Sequence, residues 1–325
     1  NTVRAMPEKN KILITRNLPD DVIARACADY DAETNTDDAP YGADQMIGLC
    51  QGKDALLCTI TNDVGADVIA RLPDSIRAIA TFSVGFEHID LDAAKERNIV
   101  VTNTPGVLTE ATADIALLCL LGAARRVTES QATLREGWTG WTPTQLMGIE
   151  VTGKRLGLVG MGDIGRATAR RARAFGMDIH YHNRNRLDAT LEDGAVFHER
   201  LEDLLANSDF LSLHCPLTPD TRHLLNAKTI DLLPDNAVVI NTARGPVVDD
   251  EALITALKSG RVAAAGLDVF DGEPNINPGY FDCPTAFLLP HLGSATVETR
   301  TAMGMTALDN LDAFFAGTEP PNRIA

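Results

Sequence analysis

Three segments of the chain carry side chains that could together bind a carbonyl compound and protonate it while a cofactor donates a hydride. Arg244, Glu273 and His291 each follow an apolar run that is typical of a buried strand. Reduction of a keto acid requires a cation for the carboxylate, a proton donor for the carbonyl oxygen, and a group that keeps the donor protonated near neutral pH. Arginine, histidine and glutamate suit these three tasks. A single arginine or histidine is more often structural, so a catalytic role requires that the three side chains lie at the same edge of the fold.

A glycine-rich segment indicates a ligand-binding site at that edge. Gly160–Gly165 (GMGDIG) follows an apolar strand pattern and opens a helical one. Gly160 permits a tight turn, Gly162 lets backbone amides approach a pyrophosphate, and Gly165 allows the helix to pack close to the strand. The N-terminus of the helix then faces the phosphates. The alternative, a strand–helix turn with incidental glycines, is disfavoured because a second strand follows at the expected distance.

The residues after that second strand favour NADP(H), with NAD(H) also admitted. Enzymes specific for NAD place an acidic residue here, where it binds the adenosine ribose. This chain instead has residues 182–186 (HNRNR), without a carboxylate. Arginine can bind a 2′-phosphate, which a carboxylate would repel. We expect Arg184 to make the main phosphate contact, with Arg186 in support and Asn183 beside them; the alternative is that both arginines are merely solvated.

Composition and charge narrow the classes of partner. The chain has 325 residues, which suits two α/β domains. Its formal net charge of −16 disfavours nucleic acid and anionic membranes as partners. The six cysteines form no C-x-x-C pair, so neither a metal site nor a disulfide framework is expected. No signal-peptide pattern is seen, and the apolar stretch at residues 115–124 is too short to span a bilayer, so a cytoplasmic protein is expected.

Short β-rich runs alternate with helical patterns along almost the whole chain, which is typical of parallel α/β architecture. The strands predicted for a first sheet are residues 11–16, 55–60, 76–81 and 99–102. The strands predicted for a second sheet are residues 155–160, 178–181, 210–214, 237–241, 263–268 and 286–290. One helix is predicted over residues 107–127 and another over residues 294–316, the latter packing back onto a part of the chain that is already folded.

Over nearly its full length, the chain resembles the D-isomer-specific 2-hydroxyacid dehydrogenase family, and within it the branch of glyoxylate/hydroxypyruvate reductases and glycerate dehydrogenases. The segments that carry the resemblance are residues 83–90 (SVGFEHID), 160–165, 241–248 (NTARGPVV), 266–274 (GLDVFDGEP) and 290–296 (PHLGSAT). It implies an α/β fold of two doubly wound parallel-sheet domains, with a Rossmann dinucleotide-binding domain inserted into a flavodoxin-like substrate domain. The expected boundaries are residues 1–104 and 294–325 for the substrate domain and 105–293 for the dinucleotide-binding domain.

The resemblance also implies roles for individual residues. Arg244 would bind and polarise the substrate, His291 would be the acid/base, and Glu273 would pair with His291. Backbone amides at Val84 and Gly85 would hold the substrate carboxylate. The further contacts expected along the cofactor are Asp163 and Ile164 at the pyrophosphate turn, Asp268 near the nicotinamide carboxamide, and Thr242, Ala243 and Cys215.

The activity implied is reduction of a small 2-keto acid to the D-2-hydroxy acid, from glyoxylate to glycolate or from hydroxypyruvate to D-glycerate. The alternatives are another keto acid, such as 2-ketogluconate or a branched-chain or aromatic one, and a non-catalytic protein that senses a dinucleotide. Residues 137–141 (GWTGW) resemble an arm that crosses a dimer interface in this branch. This implies a homodimer in which Trp141 walls the active site of the second copy; an interface anchor is the equally open interpretation.

Overall fold

The computed structural model describes residues 8–325, which form two parallel sheets. They divide into two compact units. The first unit takes the chain up to Leu108 together with Ala295–Ala325, and the second takes Thr109–Ser294. The predicted α/β fold with two parallel-sheet domains is confirmed. Which unit serves the substrate and which the dinucleotide stays a prediction.

The sheet of the first unit has five parallel strands in the order β2-β1-β3-β4-β5. Its strands are β1 (Lys11–Ile14), β2 (Asp31–Thr34), β3 (Ala55–Cys58), β4 (Ala78–Thr81) and β5 (Val100–Thr102). Its helices are α1 (Asp20–Asp29), α2 (Ala43–Leu49), α3 (Ala66–Arg71), α4 (Leu91–Glu96) and α12 (Val297–Phe315). The strand order is that of flavodoxin-like folds.

Both faces of this sheet are covered, which explains why its central strands are apolar without alternation. Successive side chains point to opposite faces, so Leu13 lies in one buried cluster and Ile12 in the other. Helix α12 adds Leu308 to the second cluster. The chain after α12 returns to β5, where Val101 donates its N–H to Ala325 O at 3.1 Å.

The sheet of the second unit has seven parallel strands in the order β12-β11-β10-β9-β6-β7-β8. Its strands are β6 (Arg155–Val159), β7 (Asp178–His182), β8 (Val196–Phe197), β9 (Phe210–Leu213), β10 (Ala237–Asn241), β11 (Val262–Leu267) and β12 (Ala286–Leu288). Its α-helices are α5 (Thr109–Ala124), α6 (Val127–Gly137), α7 (Asp163–Ala174), α8 (Ala189–Glu192), α9 (Leu201–Ala206), α10 (Ala227–Ile230) and α11 (Asp250–Ser259), and two short 3-10 helices span Gly245–Val247 and Pro278–Asp282. The strand order reverses between β6 and β9, the place where open α/β sheets bind ligands.

Several predicted elements differ from the observed ones. Strands β2 and β8 were not predicted, because DAET is polar and lies at a sheet edge and β8 has only two residues. The single helix predicted over 107–127 is wrong at its C-terminal end. Helix α5 ends at Ala124, and Arg126 adopts a left-handed conformation with φ of 55° before α6 begins. The last helix begins at Val297, where the Thr296 side chain caps it by accepting from Thr299 N at 3.0 Å.

Candidate active site

The glycine loop between β6 and α7 has a different physical reason for each of its three glycines. Gly160 has φ of 96°, and a Cβ there would lie 2.8 Å from the carbonyl carbon of His214. A Cβ on Gly165 would lie 2.2 Å from the carbonyl oxygen of Gly160, so the helix could not pack this close to the turn. A Cβ on Gly162 would meet nothing within 4 Å. The backbone is therefore open at the one position where a phosphate needs to approach.

The surroundings of the loop also fit a dinucleotide. Helix α7 begins at Asp163 without a side-chain cap, so its positive N-terminal end is available to a pyrophosphate. The Thr242 hydroxyl is buried at the end of β10 and has no hydrogen-bond partner within residues 8–325, as expected for a group that awaits a ligand. Cys215 lies against the turn, since its N would be 2.9 Å from a Cβ on Gly160. Burial lowers the pKa of His214 to about 4, so this ring adds no positive charge at neutral pH.

The end of β7 is tied to the glycine loop by an amide where NAD-specific enzymes use a carboxylate. Asn183 accepts a hydrogen bond from Met161 N at 2.7 Å, and His182 O accepts one from Gly160 N at 3.0 Å. Asn183 therefore fixes the loop without adding a negative charge near the expected ribose.

The two arginines after β7 are placed differently. Arg184 is exposed and makes no recorded hydrogen bond or ion pair within the described part of the chain. Arg186 donates from Nε and Nη2 to the two carboxylate oxygens of Glu192, each at 3.0 Å. Glu192 is buried and also accepts from Tyr181 Oη at 2.9 Å. The pair uses Nε and Nη2 only, and the Arg186 side chain is 64% exposed. The expected support of Arg186 for a 2′-phosphate stays a prediction.

His291 and Glu273 form the acid/base pair expected from the sequence. His291 Nδ1 lies 2.7 Å from Glu273 Oε2, and Glu273 Oε1 accepts from Phe270 N at 2.7 Å. Burial alone would raise the pKa of Glu273, but the hydrogen bond and charge of His291 outweigh it and the net shift is downward. An ionised carboxylate only accepts hydrogen bonds, so Nδ1 carries the proton and Nε2 is left to face a substrate. The two side chains are 33% and 30% exposed, which leaves them accessible.

Asp268 holds the turn that carries His291. The carboxylate of Asp268 accepts from Leu292 N at 2.6 Å and from Gly293 N at 2.8 Å, and its backbone oxygen accepts from His291 N at 2.9 Å. His291 itself has φ of 57°, an uncommon conformation for a residue with a Cβ. Burial raises the pKa of Asp268 while the two N–H donors lower it, with a net upward shift. Asp268 therefore fixes the backbone of the turn that carries His291.

Arg244 extends from a loop that packs tightly against the loop of Glu273. Asn241 accepts from Ala243 N at 3.0 Å and donates to Arg244 O at 2.9 Å, so one side chain fixes the loop at both ends. A Cβ on Gly245 would lie 1.8 Å from the carbonyl carbon of Phe270, which shows how closely the two backbones approach. The arginine, the glutamate and the histidine are therefore brought to one edge of the second unit. Asn241 was not predicted as a site residue, although it is the last residue of the buried strand β10 and starts the NTARG segment.

The other expected residues lie elsewhere. Val84 and Gly85 belong to a loop after β4 in the first unit. Trp141 follows α6 and is 73% exposed; α6 has no buried residue. Beside the His291–Glu273 pair is an apolar pocket of about 340 Å³, whose lining includes Phe270, Ile276 and Phe281.

Within residues 8–325, no group of three or more histidine, cysteine or acidic side chains is arranged to hold a metal ion. In the same part of the chain, no helix is long and apolar enough to cross a bilayer.

The strand order, the glycine loop and the histidine–glutamate pair define a dinucleotide-binding oxidoreductase. Residues 117–293 match the family model described as D-isomer specific 2-hydroxyacid dehydrogenase, NAD binding domain. The glycerate dehydrogenase of Hyphomicrobium methylovorum is 48% identical over 98% of this chain and 99% of its own length. The glyoxylate reductase of Thermococcus litoralis is 42% identical over 97% of each chain. The chain belongs to the D-isomer specific 2-hydroxyacid dehydrogenase family.

The fold is also shared with a solved structure of a reductase. It is the NADPH-dependent glyoxylate/hydroxypyruvate reductase of Sinorhizobium meliloti, in complex with NADP and malonate. The TM-score is 0.87 at 33% identity, and the match covers 98% of this chain and 97% of that one.

Proposed function

We propose that this protein is an NADPH-preferring reductase that converts glyoxylate or hydroxypyruvate into the corresponding D-2-hydroxy acid. The observation that carries the proposal is the pairing of His291 with Glu273 at 2.7 Å, at the edge of the sheet that also bears the glycine loop and Arg244. The names of the relatives, a glycerate dehydrogenase and two enzymes that reduce glyoxylate, support the same class of substrate.

The residues of the chain perform three tasks in this reaction. Arg244 binds the substrate carboxylate through its planar fork and polarises the carbonyl. The N–H groups of Val84 and Gly85 bind the carboxylate as well. His291, protonated and held by Glu273, donates the proton on Nε2 to the carbonyl oxygen. The reduced nicotinamide, when bound, supplies the hydride that the 2-carbon receives.

The cofactor would be held by residues of the second unit. Gly160, Gly162, Gly165 and the N-terminus of α7 fit the pyrophosphate, and the unpaired hydroxyl of Thr242 fits a polar group further along the dinucleotide. Ala243 and Cys215 line the same region in this proposal. Arg184, exposed beside Asn183, would bind the 2′-phosphate.

The proposed activity is tested by following NADPH oxidation with a panel of keto acids. We expect turnover with glyoxylate and hydroxypyruvate, with chiral analysis showing D-glycerate from the latter. A protein that only senses dinucleotides would bind NADPH without oxidising it. A higher kcat/KM for 2-ketogluconate or for a branched-chain or aromatic keto acid would overturn the substrate assignment and keep the reaction type.

The NADPH preference is tested by removing Arg184. Because a charge-assisted hydrogen bond contributes about 1.5–3 kcal/mol, Arg184→Ala should lower kcat/KM with NADPH by about ten- to a hundredfold. The same change should leave kcat/KM with NADH nearly unaltered. Arg186→Ala is the matched variant; a larger loss there than at Arg184 would reverse the assignment of the two arginines.

We further propose that the protein is a homodimer that uses the surface around α6. Leu134, Trp138, Trp141 and Met147 are close together in sequence and each is more than half exposed, and exposed apolar surface of this kind is typical of an interface. Light scattering during size-exclusion chromatography should give twice the mass of the chain. Trp141→Ala should reduce kcat if Trp141 completes the active site of the second copy, and should affect only the dimer–monomer equilibrium if it is an anchor.

A further inference from the structure

We infer that Asn103 is a positioning residue that aims the backbone N–H groups of Val84 and Gly85 at the substrate carboxylate. The inference rests on the proposed function. It starts from two consecutive peptide groups in the loop after β4. The carbonyl of Ser83 accepts from Thr104 N at 2.9 Å, and the carbonyl of Val84 accepts from the Asn103 side chain, Nδ2, at 2.8 Å. Residues 103 and 104 thus donate hydrogen bonds to the carbonyls of two consecutive residues, Ser83 and Val84.

This arrangement dictates where the next two N–H groups point. In a trans peptide the C=O and the following N–H point in opposite directions. With the carbonyls of Ser83 and Val84 both turned toward residues 103–104, the N–H groups of Val84 and Gly85 both point away from that segment. Within residues 8–325, no acceptor is recorded for either N–H group. Successive N–H groups turned to one side form a concavity that binds anions such as a carboxylate.

A second set of hydrogen bonds fixes the far side of the loop. Ser83 Oγ donates to Gly85 O at 2.6 Å, so its only hydrogen is used there. Ser83 Oγ must therefore accept from Thr81 Oγ1 at 2.8 Å, and Thr81 Oγ1 must accept from His88 Nε2 at 3.0 Å. The side chains of Thr81 and Ser83 are buried.

Asn103 is itself held by the C-terminal part of the first unit. Its N–H donates to Asn322 O at 3.2 Å, and its carbonyl accepts from Asn310 Nδ2 at 3.1 Å. Asn310, which lies in α12 and is fully buried, also accepts from Asn322 N at 3.1 Å. These hydrogen bonds fix the backbone of Asn103. Its side chain therefore holds the carbonyl of Val84 from a fixed point.

The test compares Asn103→Ala with Asn35→Ala. Asn35 is a matched control because it is also buried in the first unit and also donates from Nδ2 to backbone carbonyls, those of Thr15 and Ala39. We expect Asn103→Ala to raise KM for glyoxylate about ten- to a hundredfold while kcat and NADPH affinity stay close to wild type. Asn35→Ala should change none of these constants beyond any general loss of stability.

A direct binding measurement separates this inference from the proposed function. Oxalate, a small carboxylate that is not reduced, is titrated calorimetrically into the NADPH complex. Weaker oxalate binding by Asn103→Ala supports the inference even if no keto acid is turned over. Three outcomes would overturn the inference. They are no oxalate binding by the wild-type protein, an unchanged KM in Asn103→Ala, or losses of kcat and of NADPH affinity in Asn103→Ala as large as the rise in KM.

A milder pair of variants decides the matter if Asn103→Ala does not fold. Ser83→Ala removes one hydrogen bond to Gly85 O without leaving a large cavity, and it should raise KM for glyoxylate in the same direction. Ser83→Thr keeps the hydroxyl and should restore KM. Equal KM values for Ser83→Ala and the wild type would overturn the inference.

Discussion

At the scale of single residues, the Glu273–His291 pair sets the proton chemistry. The pKa of Glu273 is lowered because its interaction with His291 outweighs burial. A carboxyl group with a lowered pKa stabilises the folded protein above its unfolded pKa, and this stabilisation is lost as the pH falls through the lowered value. Glu273 is therefore ionised across the neutral range, where its carboxylate accepts a hydrogen bond from His291 Nδ1.

This pairing predicts how Glu273→Gln changes the pH dependence of reduction. An amide stabilises the imidazolium less than a carboxylate at 2.7 Å does, so the basic limb of kcat/KM should move to lower pH by about one unit. Glu202→Gln removes the same charge from an exposed position in the helix α9 and should leave the profile unchanged. Superimposable profiles for Glu273→Gln and the wild type would remove Glu273 from the mechanism.

At the scale of elements, the glycine loop shows which features of the site the sequence pattern can predict. The roles of Gly160, Gly162 and Gly165 follow from their spacing. In the structure a Cβ on Gly160 or Gly165 would meet backbone atoms, whereas a Cβ on Gly162 would meet nothing within 4 Å. The pairing of Arg186 with Glu192 could not be predicted in this way. It depends on the short helix α8 and on Tyr181, whose contacts are set by tertiary packing. The break at Arg126 was equally hidden, because residues 123–130 (AARRVTES) contain neither glycine nor proline to mark a turn, and only the backbone angle reveals it.

Alanine substitutions at Gly165 and Gly162 should differ in their effect on the stability of the fold. An alanine at Gly165 would favour the helix by about 1 kcal/mol, but its Cβ would meet a backbone oxygen that cannot move easily. We expect a net loss of about 1–3 kcal/mol in the free energy of unfolding, together with weaker NADPH binding.

Gly162→Ala is the control, since its Cβ would meet no protein atom and its backbone is extended. It should keep the stability of the wild type and lose NADPH affinity, because the methyl group occupies the space a phosphate needs. Denaturant unfolding and NADPH fluorescence titration measure the two quantities. Normal NADPH binding by Gly162→Ala would place the pyrophosphate elsewhere.

At the scale of the whole molecule, the sequence predicted the architecture better than its edges and its long-range contacts. The parallel α/β architecture could be predicted because apolar runs and helical patterns alternate so regularly along the chain. The edge strand β2 could not, since its residues are polar and its place is set by its neighbour β1. The convergence of Arg244, Glu273 and His291 also required the fold, because they lie on three separate loops, 29 and 18 positions apart along the chain.

Hydrogen exchange tests whether the cofactor binds to the second unit. On binding NADPH, amides of β6 and the first turns of α7 should exchange more slowly, because the ligand must leave before these groups open. Amides of β1 and β2 in the first unit should be unaffected. Equal protection of β1–β2 and β6–α7 would contradict the placement of the cofactor on the second unit.

The return of the chain to the first unit has a consequence for synthesis on the ribosome. Strand β5 is made early, yet Val101 pairs with Ile324 and Ala325, and Asn103 is held by Asn310 and Asn322. The second unit is contiguous and can fold as soon as it has emerged. The first must wait, with β1–β5 incompletely covered, until α12 is released. We therefore expect this incompletely covered sheet to be prone to aggregation until α12 packs onto it.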